Sequence, residues 1–144
     1  MVTKNVKLQV KIAEVFYYFI VFFICYTASN KLIKIQSFRT NLIKTTLFTP
    51  DLADVFSICV IAFEVILILV LLFYKKNGLL LSCLTFLVFT LYISVLNFKG
   101  LYEVCGCGGV LNGLPYSYHL LINIALIVGS AFSFLTFYVL NNEE

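Results

Sequence analysis

Apolar residues gather along this chain into four long runs, set apart by short polar stretches. The first extends from about Ile12 to Ala28, with Leu8 and Val10 lengthening it; the others cover roughly 52–74, 78–98 and 118–140. A helix needs about 20 mostly apolar residues to cross a bilayer. None of the runs alternates with period two, so a transmembrane β-barrel is excluded and helices must satisfy the backbone in lipid. The pattern predicts an all-α, four-helix transmembrane bundle, forming one integral membrane domain over residues 1–144.

The connections differ in kind. Lys75-Lys76-Asn77-Gly78 alone separates the second and third runs, which predicts a tight antiparallel turn. Between the first and second, Leu32, Ile35, Phe38 and Leu42 recur at helical spacing among Lys31, Lys34, Arg39 and Lys44. That periodicity predicts a short amphipathic helix at the membrane interface, and Pro50-Asp51 then marks the start of the second span. The last connection, KGLYEVCGCGGVLNGLPYSY, holds five of the seven glycines.

Composition sharpens the class. Of 144 residues, 62% are hydrophobic and 12% charged, against about 25% charged in soluble domains. A soluble domain of this length could not bury so much apolar surface. A net charge of +3, scattered along the chain, does not make a phosphate-tracking surface, so no nucleic-acid partner is expected. The first run follows Lys4, Lys7 and Lys11, exceeds the length of a signal-peptide core and lacks a small-x-small cleavage site, so it reads as a retained span. Basic residues divide evenly between the two sides: Lys4, Lys7, Lys11, Lys75 and Lys76 against Lys31, Lys34, Arg39, Lys44 and Lys99. Because Lys75-Lys76 occupies a very short loop, and the amphipathic segment accounts for its own charges, the termini are assigned to the inside. The Cys-bearing loop then faces the exterior or periplasm.

The sharpest chemical signal is Cys105-Gly106-Cys107-Gly108-Gly109. Two thiols one residue apart close only a small ring, which departs from relaxed disulfide geometry and is easily reduced. A bridge over one residue restrains little chain, so a redox-active dithiol fits better than a structural clamp. An inert turn and a soft-metal pair are the alternatives. Against the metal stands the lone His119, since zinc normally takes four ligands. His119, at the start of the fourth span, is a candidate proton acceptor for a thiol; a merely solvated interfacial role is the plainer alternative. Glu64, in the middle of the second span, is a functional candidate because an intramembrane carboxylate is costly and usually faces a partner inside the bundle. Arg39 or Lys31 can supply a cation to it, and Tyr92 or Asn97 a hydrogen bond; a packing role for Glu64 is equally open. Asn123 reads as a polar packing contact, Glu14 as a snorkelling side chain, and Cys25, Cys59 and Cys83 as packing residues.

Taken together, the four spans, Ala28-Ser29-Asn30-Lys31-Leu32 followed by Phe38 and Arg39, Glu64, and the Cys-Gly-Cys-Gly-Gly element resemble the MauE branch of the DoxX-like membrane proteins. The resemblance runs from about Ile12 to Leu140, and the Cys-Gly-Cys element is its most specific part. In this chain Gly108 stands where a bulky residue such as Phe often precedes the last glycine. The resemblance implies a bacterial inner-membrane protein concerned with thiol redox chemistry, working beside a thioredoxin-like periplasmic protein during protein maturation. It would exchange electrons through Cys105 and Cys107: attack by a partner thiolate gives a mixed disulfide, resolved by the second cysteine. A quinone is compatible by analogy with other four-helix disulfide-generating membrane proteins, although no residue requires one. Two rival readings remain: an accessory subunit stabilising a larger membrane complex, and a small proton-coupled transporter built on Glu64.

Overall fold

A computed structural model of the protein describes residues 2–102 and 113–141. Among these residues five helices follow one another: α1 (Val2–Ile33), α2 (Ile35–Lys44), α3 (Pro50–Phe73), α4 (Lys75–Phe98) and α5 (Tyr116–Asn141). Four of them, all but α2, are long and apolar enough to cross a membrane. Each long helix buries a single stripe. On α3 it is Ala53, Ser57, Ile61, Glu64, Leu67 and Leu71; on α1 it is Ala13, Tyr17, Ile20, Ile24, Thr27 or Ala28, and Lys31. Steps of three and four keep these positions on one face of a helix. The other faces carry exposed Leu, Ile, Val and Phe in quantity, the distribution expected where lipid replaces water as solvent.

The long helices pack in the cyclic order α1, α3, α4, α5, each against two antiparallel neighbours. One end of this bundle is densely filled by Tyr17, Ile20, Leu67, Leu71, Leu79, Phe86 and Leu126. There the Tyr17 hydroxyl donates to the Leu71 carbonyl at 2.8 Å, which satisfies a polar atom inside an apolar layer. The other end carries α2, the beginnings of α3 and α5, and the connection between α4 and α5.

The junctions are shorter than the sequence suggests. Lys75–Gly78 is no turn but the first turn of α4, and the chain reverses at Tyr74 alone (φ −132°, ψ 71°). Gly78 permits this: a Cβ there would stand 2.5 Å from the Leu71 Cα and 2.8 Å from its nitrogen, so the two helices touch immediately after the reversal. Lys34 is likewise the single residue between α1 and α2. Leu32 therefore belongs to α1 and is exposed, whereas Leu42 of α2 is buried, with α2 packed on α3. At the far end of α4, Gly100 (φ +69°) closes a Schellman motif. In it the Leu101 amide bonds to the Leu96 carbonyl at 2.9 Å and that of Gly100 to Asn97 at 3.0 Å, satisfying carbonyls the helix leaves free.

Replacing Gly78 by Ala forces backbone against backbone and is expected to lower stability by about 1–2 kcal/mol, even after the better helix propensity of Ala. The same change at Gly129 meets only the Phe16 ring, which can swing aside, and is expected to cost less. Thermal unfolding of the two purified variants in one detergent checks the order.

Candidate functional site

Glu64 sits on the buried stripe of α3, 2% exposed, and Lys31 ends the buried stripe of α1, 5% exposed. Their side chains form an ion pair through Glu64 Oε1. The Lys31 ammonium also lies 5.2 Å from the Phe89 ring centre and 5.8 Å from that of Phe38, distances at which the ring faces attract a cation. Of the two cations available to Glu64, the structure uses Lys31. Arg39 is instead paired with Asp54, at a half-exposed position joining α2 to α3. The reason is geometric: Lys31 is carried by α1, a direct neighbour of α3, whereas Arg39 sits on α2 near the beginning of α3, ten residues before Glu64. A partly exposed pair like Arg39–Asp54 contributes at most about 1 kcal/mol.

The ion pair borders a cavity of about 140 Å³ between the helices, towards the end that carries α2. Its walls are largely aromatic and aliphatic, including Phe23, Phe86 and Phe89, and its polar lining includes Glu64, Lys31, His119 and Asn123. His119 and Asn123 lie one turn apart on α5, 3% and 4% exposed. Two polar atoms here are buried without a partner among the described residues, Glu64 Oε2 and Asn123 Nδ2. Tyr92 lines the same cavity; Asn97, its alternative as a hydrogen-bond partner for Glu64, is exposed on α4.

His119 is not a solvated helix-end histidine. Its Nδ1 lies 3.0 Å from the Tyr102 hydroxyl, which itself donates to the Leu114 carbonyl at 2.9 Å. With the phenol proton committed to that carbonyl, Nδ1 carries the imidazole hydrogen and donates to the phenol oxygen. Tyr102 thereby ties together the two ends of the Cys-bearing connection and fixes the ring of His119. Burial, with Tyr116 beside it, raises the Tyr102 pKa above its ordinary value, so the phenol remains a donor at neutral pH. Tyr116 completes the base of this connection: its hydroxyl is 3.0 Å from Ser94 Oγ and its ring meets Tyr102 edge-on.

Cys105 and Cys107 lie outside the described residues. The remaining cysteines are free thiols: Cys59 is exposed on the outer face of α3, and Cys25 and Cys83 are half-buried. Glu14 is exposed on α1. Sequence reasoning offered no role for Asp54 or Tyr102. It took Asn123 as packing alone, although its place four residues after His119 puts both on one helical face.

Four apolar helices in an up-and-down bundle, with a charged pair enclosed between them, define a multi-pass membrane protein. The chain matches the family of the methylamine utilisation protein MauE over residues 9–136 and belongs to that family. No curated protein and no solved structure matches it.

Breaking the buried pair from one side leaves an uncompensated charge, at a cost of about 3–5 kcal/mol. Glu64→Leu is therefore expected to destabilise the protein by that amount. The double variant Lys31→Met, Glu64→Leu should recover most of the loss, because two apolar side chains of similar volume need no desolvation. Unfolding midpoints of wild type, single and double variants in one detergent read the difference.

Proposed function

We propose that this protein is a thiol–disulfide exchanger of the bacterial inner membrane, with Cys105 and Cys107 as its redox pair and a thioredoxin-like periplasmic protein as its partner during protein maturation. Membership of the MauE family and the Cys-Gly-Cys spacing support the reading. The structural observation that carries it is the anchoring of both ends of the 103–112 connection at Tyr102 and Leu114, directly beside buried His119. A dithiol loop that must meet a partner protein gains from a fixed base. The chemistry balances without a further reagent. A thiolate of the pair attacks the partner's disulfide, one partner sulfur leaves as thiolate, and a mixed disulfide forms. The second cysteine, as thiolate, then attacks its neighbour's sulfur in the mixed disulfide. The second partner thiolate is expelled and the Cys105–Cys107 bond closes, so two electrons pass to the partner. The reverse sequence oxidises the partner. His119 serves as a proton acceptor for a thiol of the pair.

The orientation with both termini cytoplasmic gains support from Lys31. Its ammonium is enclosed in the bundle with Glu64, so it no longer counts among the loop cations that set topology. Five basic residues then remain on the side of the termini (Lys4, Lys7, Lys11, Lys75 and Lys76) against four on the other (Lys34, Arg39, Lys44 and Lys99).

Replacing either Cys105 or Cys107 by Ser is expected to abolish exchange with a thioredoxin-like dithiol while leaving the protein in the membrane. Differential thiol labelling of intact cells and of opened membranes, followed by mass spectrometry of residues 99–118, measures both. Labelling from outside that responds to added reductant is the expected result. Exchange that persists in both Ser variants, or a pair that reductant never changes, overturns the mechanism in favour of an accessory subunit, for which the pair is dispensable.

A further inference from the structure

The cavity beside the ion pair has features that packing alone leaves unexplained. Buried polar groups are nearly always hydrogen-bonded, yet Glu64 Oε2 and Asn123 Nδ2 both lack partners among the described residues, and both residues line the same space. One is an acceptor and the other a donor. An occupant that satisfies both must offer a hydrogen and a lone pair, which a hydroxyl does through one oxygen. The carboxylate is already neutralised by Lys31, so a charged occupant would add an uncompensated charge to an apolar enclosure. The volume, about 140 Å³, is close to that of apolar cavities that hold a single benzene ring, and Phe23, Phe86 and Phe89 supply aromatic walls. Phe56 of α3 and Val88 of α4 line the cavity and are also 41% and 62% exposed, so these two side chains stand between the cavity and the outer surface.

We propose that this cavity is a binding site for an uncharged, lipid-soluble aromatic alcohol of the phenol class. It enters between α3 and α4; its hydroxyl donates to Glu64 Oε2 and accepts from Asn123 Nδ2, and its ring lies among the phenylalanines. A lipid acyl chain fits the walls but leaves both polar atoms unsatisfied. Binding here does not depend on thiol exchange.

The test is a fluorine NMR titration of the full-length protein in lipid nanodiscs, with empty nanodiscs as blank. The probes are para-fluorophenol and fluorobenzene, which differ only in the hydroxyl. Saturable binding of para-fluorophenol is expected, about tenfold tighter than that of fluorobenzene, the ratio for one or two hydrogen bonds in a buried site. Asn123→Leu, which removes the orphaned donor and keeps an apolar side chain of similar size, should weaken para-fluorophenol about tenfold, leave fluorobenzene unchanged and not lower the unfolding midpoint. Val88→Trp, at a position that lines the cavity and is also exposed on the outer surface, should obstruct binding of both probes and serves if Asn123→Leu does not fold. Equal affinity for the two probes, no saturable binding, or binding untouched by both variants overturns the proposal. So does a high-resolution map of the phenol-soaked protein that shows ordered water alone at Glu64 and Asn123.

Discussion

The architecture depends on one constraint: a carboxylate in the middle of a membrane-spanning helix must be neutralised by something that reaches it. Glu64 lies on the face of α3 that meets the bundle interior, and the charge that reaches it comes from the last turn of α1. That requirement fixes the relative height of two neighbouring helices. It also keeps α1 helical beyond its apolar run, because Lys31 must stay in register with the buried stripe. Placed anywhere else, the carboxylate would meet hydrocarbon, at a cost of a few kcal/mol or more. The position of α2 follows: the chain breaks at Lys34, and α2 lies across the same end of the bundle, bringing Phe38 over the Lys31 ammonium and Leu42 into the interior. The half-exposed pair Arg39–Asp54 and the stacked rings of Phe48 and Phe56, 4.7 Å apart, hold it there.

Hydropathy revealed the four spans because lipid leaves few alternatives, and it revealed them less well at their ends. Apolarity reports which residues can touch lipid, whereas a helix ends where its backbone bonding ends. In α1 the polar residues Ser29 and Asn30 do not stop the helix; each donates back to a carbonyl one turn earlier, Cys25 at 2.8 Å and Tyr26 at 3.1 Å. The reversal at Tyr74 was hidden for a related reason. Two lysines and an asparagine look like a loop, but they are the first turn of α4, and the tightness of the turn comes from Gly78, which reads as an ordinary turn glycine until Leu71 is seen against it.

The site was legible in its costs and illegible in its pairings. Glu64 stands out in sequence because a charge there has to be explained. Its partner could have been chosen from spacing: Lys31 continues the steps of three and four from Ile20 and Ile24 through Thr27, while Arg39 follows the break at Lys34. His119 and Asn123 carry a similar signal, one turn apart near the start of α5. Tyr102 carries none. Its bonds to Leu114 and His119 cross a connection of more than ten residues, and nothing local in Leu101-Tyr102 announces them.

The two ends of the bundle obey different rules, and that difference bears on what Glu64 is for. At the end with Tyr17 and Leu71 the interior is closed, and the polar atom placed there is satisfied within the protein. At the end with α2 the interior is hollow, and two polar atoms find no partner among the described residues. A pair kept only to lock helices together would be expected to follow the first pattern, since both a void and an orphaned polar group lower stability. Filling it is within easy reach of substitution: Thr27 and Thr85 both border the space, and a larger apolar residue at either would reduce it. A cavity left open beside a neutralised carboxylate, with a donor and an acceptor unpaired at its wall, is arranged for an occupant more than for rigidity.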